Sequence, residues 1–489
     1  MDCCYARPRA VSTAFATRSL RPTVRESILA VALILGLAVL TGLAVGDPSP
    51  RWFFPLAAIA GLGVLYAGSR WPYPSLMLIL GSSILLVVVR VSDLRSVNMI
   101  DVLLPTVLVF SYFGRARFEA RTHEEHGPSH ARLHAAELGF TRAVLVFYCL
   151  AALSLIQLAR LAGLPAALDS ALLLARAVQG LLLFPLCKWW LRTPERIQDA
   201  WRAMVVAGVV LALVNIAGVA LWDVKRAGMT LFLNDTEGPI SDPNEAGTAA
   251  LVVGVILLIR HAMRPSWINP ALGVLMLALL GLTQSRSAIL AWAAFGLFTL
   301  HWVRPSRLLT GALGVAAMLP LLPHSFWIRM VRSIAIERGT FEAFSFFQRV
   351  YGWRTAWGVV QDHPWTGVGY LGFRFVSHRY NELRVVFGTV ENYFYEVLVS
   401  MGIPGLVLLA IVIVKLFNLG HTVGRIAPPG TLAHHMARFH TPLCLGLLVA
   451  NLTGDNFMGM LAIAQLSIWT AVLVRSGHAA VAVESDACR

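Results

Sequence analysis

The sequence predicts an all-α, polytopic integral membrane protein with about 12–14 transmembrane helices and one large external loop. Three observations lead there. Of 489 residues, 57% are hydrophobic and only 13% are charged, more apolar surface than a soluble fold can bury. The apolar residues fall in repeated runs long enough to cross a hydrocarbon layer about 30 Å thick. Those runs lack the alternating polar pattern of barrel strands, so their backbone N–H and C=O groups must be satisfied within helices.

In chain order, spans are expected near residues 27–46, 52–68, 74–90, 97–113, 142–162, 170–190, 203–222, 246–263, 267–283, 287–303, 307–323, 402–419, 440–453 and 457–474. This divides the chain into a basic tail (1–26), a first block of helices (27–323), an external loop (324–392), a re-entry segment with the last three spans (393–475) and a second tail (476–489). The first apolar run is too long for the core of a secretion signal and more spans follow, so it reads as an uncleaved first helix.

Orientation follows from Lys and Arg, which concentrate in cytoplasmic loops. Arg7, Arg9, Arg18, Arg70, Arg115, Arg132, Lys188, Arg192, Arg260, Arg304, Lys415, Arg425 and Arg475 all fall on one side, with both termini. The opposite short loops carry only Arg51, Arg90, Arg95, Lys225, Arg226 and Arg286. A cluster of arginines in the long segment 324–392 breaks the trend; a loop of that length crosses regardless of its charge. The net charge of +14 is what loops facing an anionic leaflet produce, and no nucleic-acid partner is expected. Cys3, Cys4, Cys149, Cys187, Cys444 and Cys488 fall in spans or tails, so no disulfide framework is implied. Arg160 and Arg176 lie inside spans, toward their outer halves, where Arg160 can snorkel and Arg176 can extend an anion site.

Three local patterns need a reading. His123, His126, His130 and His134 have helical spacing in the loop 114–141, but Gly127-Pro128 interrupts it; a solvated polar loop is expected, and no metal site. Gly367-Val368-Gly369-Tyr370-Leu371-Gly372 has the spacing of a dinucleotide loop without the preceding strand, and reads as a tight external turn or a close approach of backbone to a ligand near the membrane surface. Ser241-Asp242-Pro243-Asn244-Glu245-Ala246 reads as a helix start, with Asp242 capping, Pro243 first and Glu245 third.

Taken in order, these segments resemble the O-antigen ligase and O-antigen polymerase superfamily over about residues 230–420. Asp242-Pro243-Asn244 opens a span, and Thr283-Gln284-Ser285-Arg286-Ser287 joins two more. Gln348-Arg349-Val350-Tyr351-Gly352-Trp353, leading to Asp362-His363-Pro364-Trp365-Thr366-Gly367-Val368-Gly369, looks like the family's external-loop signature. Glu391-Asn392-Tyr393 and Met401-Gly402-Ile403-Pro404-Gly405 look like the signature that follows it. Ligases usually place His-Asn where this chain has Glu391-Asn392; some polymerase-like members carry an acid there, which shifts weight toward a polymerase.

The resemblance implies inverting, metal-independent glycosyl transfer on the outer face of the bacterial cytoplasmic membrane, with a glycan on polyprenyl pyrophosphate as donor and a glycan or lipid-linked acceptor. No cofactor is expected, and envelope polysaccharide assembly proteins are the expected partners. A pyrophosphate leaving group develops negative charge, which fixed guanidinium forks can meet. Arg286 and Arg349 are the candidates for that role, and Glu391 is the candidate base for the acceptor hydroxyl. Asp242, Asn244, Arg354, His363, Gly367, Gly369, Asn392 and Arg176 are expected to bind substrate. Two other classes suit a many-span chain with external arginines: a secondary transporter of an anion, and a scaffold subunit of an envelope-assembly complex. Few acids lie mid-membrane, Asp101 being the clearest, which weighs against ion-coupled transport.

Overall fold

The computed structural model describes residues 72–85, 88–92, 95–98, 104, 107–108, 128–221, 243–300, 327, 331, 341–382, 384–454, 457 and 460–487. The expected spans near 27–46, 52–68 and 307–323, most of that near 97–113, and Asp101 and Asp242 lie outside those residues.

The described elements run in the order α1 (Pro72–Leu85), β1 (Val88–Ser92), β2 (Arg95–Asn98), α2 (Pro128–Ala162), α3 (Leu164–Trp190), α4 (Pro194–Leu221), α5 (Pro243–Met263), α6 (Ile268–Thr283), α7 (Arg286–Leu300), α8 (Phe341–Asp362), α9 (Phe373–Val376), α10 (Tyr393–Ile426), α11 (Leu432–Ala450) and α12 (Met460–Ala487). The all-α expectation therefore holds apart from one antiparallel hairpin, in which Val89 pairs with Val97 and Arg90 with Ser96. Prolines open α1, α2, α4 and α5, where a missing N–H and a fixed φ cost nothing.

Ser129–Ala162, Leu164–Trp190, Pro194–Ala217, Pro243–Met263, Tyr393–Ile426 and Met460–Val481 are long and apolar enough to cross a membrane, by length and composition. Their burial separates inner from outer helices: 89% of the apolar window of α12 and 72% of that of α5 are buried, against 22% for α2. The outer face of α2 and α3 presents Leu145, Leu153, Ile156, Leu168 and Leu172, a stripe that hydrocarbon would cover. Small residues set the close crossings: a Cβ on Gly247 would sit 2.2 Å from that of Ala288, and one on Gly446 2.7 Å from the Ala291 carbonyl oxygen.

One expectation is corrected. The loop placed at 114–141 ends earlier, because α2 starts at Pro128 and takes up His130 and His134. Pro128 breaks a helix that would run through it but suits the first position of one that begins there. His130 Nε2 lies 3.1 Å from His478 Nδ1, and Glu137, about two turns further on, pairs with Lys188. α2 is thereby tied to α12 and α3 at the end where Arg475 of α12 meets the Lys188 carbonyl of α3.

Candidate active site

The segments that the sequence singled out gather at the opposite end of the bundle, in two groups. The first joins the start of α5 to the α6–α7 turn. Gln284 adopts a left-handed conformation (φ 49°) that ends α6, and Ser285 then caps α7, its Oγ accepting from the Ala288 N–H at 3.2 Å. Asn244 Oδ1 accepts from Ser285 Oγ at 2.5 Å and from Ser287 Oγ at 2.9 Å. Both serines are almost fully buried, so Asn244 satisfies groups that have no water to turn to. Arg286, half-buried, is the first residue of α7 on that fixed turn. Asn244 thus acts here by holding the turn.

The second group is built around the start of α10. Arg349 of α8 forms an ion pair with Glu391, Nε donating to Oε2. Glu391 sits at φ 51°, a left-handed conformation that a non-glycine residue adopts only when its surroundings insist. The surroundings do insist: on one side Trp353 Nε1 donates to the Val390 carbonyl at 2.9 Å. On the other, Asn392 is the N-cap of α10; its side chain accepts from the Tyr395 N–H at 3.0 Å and donates to the Leu452 carbonyl at 2.9 Å. Tyr393 N–H reaches the Asn451 and Gly454 carbonyls, fastening this corner to the end of α11.

Beneath it, the glycine run packs against helix backbone rather than forming an open turn. Gly402 (φ 67°, ψ −167°) kinks α10, and the carbonyls freed there are taken up from the run: Val368 N–H donates to Val399 O and Gly369 N–H to Ser400 O, each at 2.9 Å. A Cβ on Gly367 would lie 2.4 Å from the Ser400 carbonyl carbon, and one on Gly369 2.5 Å from the Leu158 Cβ. These two glycines serve close packing, and their positive φ (60° and 97°) needs glycine as well. Sequence reasoning missed the buried polar ties of this region. Glu396 accepts from the Val390 N–H at 3.0 Å and from Ser400 Oγ at 3.2 Å, and Ser154 of α2 accepts from the Tyr370 N–H at 2.9 Å. An acid in the first turn of α10 was the available signal for Glu396.

The remaining candidates are more scattered. His363 ends α8, donating its N–H to Val359 O and accepting from the Gly367 N–H. Arg354 is exposed on α8, Arg176 is half-buried within α3, and Arg160 is exposed at the end of α2. Arg374 pairs with Asp169 at 2.7 Å and lies over the Phe375 ring, tying α9, just after the glycine run, to α3. Tyr380 is kept a neutral phenol: partial burial raises its pKa, and the Asp362 carboxylate beside it adds to the effect.

A helix crossing relates the two groups. Gly446 of α11 meets Ala291 of α7, and Phe439 meets Phe295 with ring centroids 6.2 Å apart, so the two helices run antiparallel. From the Gly446–Ala291 contact, Arg286 and Asn451 each lie five residues toward the same end, about 7.5 Å along the axis at the usual helical rise. Arg286 is therefore level with the Asn451–Leu452 corner that holds Asn392 and, next to it, Glu391. Below this level is a cavity of about 330 Å³, lined among others by Phe147, Tyr148, Val178, Leu181, Phe457 and Tyr393. Its walls are almost wholly apolar, and Tyr393 connects it to the Glu391–Asn392 corner.

Residues 271–410 match the family described as O-antigen ligase, a stretch that runs from α6 into α10 and contains Arg286, Arg349 and Glu391. No curated protein matches the chain.

Proposed function

We propose that this chain, which carries the O-antigen ligase domain of the ligase and polymerase superfamily, transfers a glycan from polyprenyl pyrophosphate to an acceptor sugar with inversion. The reaction takes place at the outer face of the bacterial inner membrane and needs no divalent metal. The observation that carries this is that Arg286 and the Arg349–Glu391 pair lie at one level, toward the same end of a bundle of membrane-length helices.

In the step itself, the acceptor oxygen attacks the anomeric carbon while the bond to the pyrophosphate oxygen breaks and its electron pair leaves with the phosphate. Glu391 takes the acceptor proton. Inversion places base and leaving group on opposite faces of the sugar. In inverting glycosidases the two acting carboxyl groups are accordingly about 6.5–9.5 Å apart. A cation in direct contact with the base is badly placed to reach a leaving group on the far face. The pairing therefore divides the roles: Arg349 orients Glu391 through one oxygen and leaves the other for the acceptor, and Arg286 meets the pyrophosphate. The apolar cavity beside Tyr393 suits the carrier's hydrocarbon chain.

The test is transfer by purified protein from a lipid-linked donor. Inverted anomeric configuration in the product and full rate in EDTA are expected. Retained configuration, or activity abolished by EDTA and restored by magnesium, overturns the mechanism. Absence of any transfer, with anion uptake by proteoliposomes instead, overturns the function. A deletion strain then separates the two branches: a ligase defect leaves long polymer on the carrier, and a polymerase defect leaves single repeats.

A further inference from the structure

The far end of the α10–α11 hairpin takes no part in this chemistry. Between Glu396 and Asp455 the chain has no acidic residue, yet that stretch carries Lys415, Arg425, Arg438, His421, His434, His435 and His440. The fold concentrates four of these. His421 and Arg425 are one turn apart near the end of α10, and His434 and Arg438 are one turn apart near the start of α11. The two pairs line a half-open cleft of about 470 Å³ whose further wall is Phe298 of α7. Small residues let the helices approach there: a Cβ on Gly424 would sit 3.4 Å from that of Ala437. No carboxylate is among the described residues that line the cleft.

Basic groups of one sign lining one cleft make it attractive to an anion. Two guanidinium forks with imidazoles beside them match the oxygens of a phosphate group. Its place indicates the source of that phosphate. From the Gly402 kink Arg425 is 23 residues along α10, about 35 Å of helix, so the cleft lies about one bilayer thickness from the candidate active site. Phe298, 41% exposed, and Pro442 form an apolar wall against the cationic one, as an amphiphile with a phosphate head and an acyl tail requires.

We propose that this cleft binds the phosphate headgroup of an anionic phospholipid at the membrane surface opposite the candidate active site. The proposal is independent of the transfer reaction, and so is its test. Delipidated full-length protein in neutral detergent is titrated with phosphatidylglycerol, phosphatidylcholine or inorganic phosphate and followed by native mass spectrometry. Phosphatidylglycerol is expected to bind, phosphatidylcholine to bind at least about tenfold more weakly, and phosphate alone more weakly still. Arg425→Gln should weaken phosphatidylglycerol about fivefold, the typical worth of one basic residue at an anionic surface, and Arg425→Gln with Arg438→Gln by about 25-fold. Arg425 and His421 are exposed, so Arg425→Gln and His421→Gln leave the packing intact and keep the test valid if the double variant fails to fold. Equal binding of phosphatidylglycerol by wild type and Arg425→Gln overturns the proposal. So does equal affinity for phosphatidylcholine, or a phosphate affinity matching that of the lipid, which would make the cleft a site for soluble anions.

Discussion

If Arg349 acts through Glu391, removing Glu391 should make Arg349 dispensable, and a double-mutant cycle of Arg349→Lys and Glu391→Gln measures this. The two side chains are 23% and 39% exposed, so their pairing contributes only about 0–1 kcal/mol to folding. Neither substitution should greatly alter the amount of inserted protein. Activity is another matter. Loss of a general base typically costs about 10²–10⁴ in rate, equivalent to about 2.7–5.4 kcal/mol at 1.36 kcal/mol per decade. Arg349→Lys keeps the charge but withdraws the Nε donor that fixes one carboxylate oxygen, and a misplaced catalytic group costs on the order of 10². In the Glu391→Gln background the same change should cost less than about threefold, because there is no base left to orient. The assay is the initial rate of transfer to acceptor for the four proteins at matched abundance. Multiplying losses, with the double variant about 10² slower than Glu391→Gln alone and about 10⁴–10⁶ slower than wild type, would refute the orienting role and put Arg349 on the substrate itself.

Arg286→Lys should slow transfer by about 10²–10³ at normal membrane abundance, since a fork aimed at developing charge is lost while the charge remains; near-normal turnover would remove Arg286 from the site. Gly367→Val should lower the thermal midpoint and the yield of folded protein, because its Cβ would meet the Ser400 carbonyl carbon at 2.4 Å and its φ of 60° costs a branched residue about 1–3 kcal/mol. In a background without the native cysteines, a cysteine at the exposed Gly388 should react with an impermeant thiol reagent in intact spheroplasts, and one at the exposed Pro429 should not. The reverse pattern would invert the proposed orientation.

Much of this was legible along the chain because it depends on local chemistry. Apolar runs in hydrocarbon must be helical, so α2–α7 and α10–α12 overlap the expected spans, and Pro243 opens α5 as its position in Ser241–Ala246 indicates. Arg286, Arg349 and Glu391 were singled out by residue type and by resemblance. What they do to one another was not. No spacing rule pairs residues 42 positions apart, and Arg349 reaches Glu391 only because α8 packs beside the start of α10. Asn244 shows the same limit: it reads as part of a helix start and proves to be the acceptor for two serines more than 40 residues away. The glycine run is the clearest case. Its sequence indicated a tight external turn or a close approach to a ligand, whereas the run packs on the backbone of α10 at the Gly402 kink, whose freed carbonyls had to be satisfied by some neighbouring segment. The sequence by itself determined which segments are helical and which residue types bear charge, since both follow from near neighbours and the solvent. Only the tertiary structure decided which of those charges meet, because burial pairs polar groups by proximity in space and not by order in the chain.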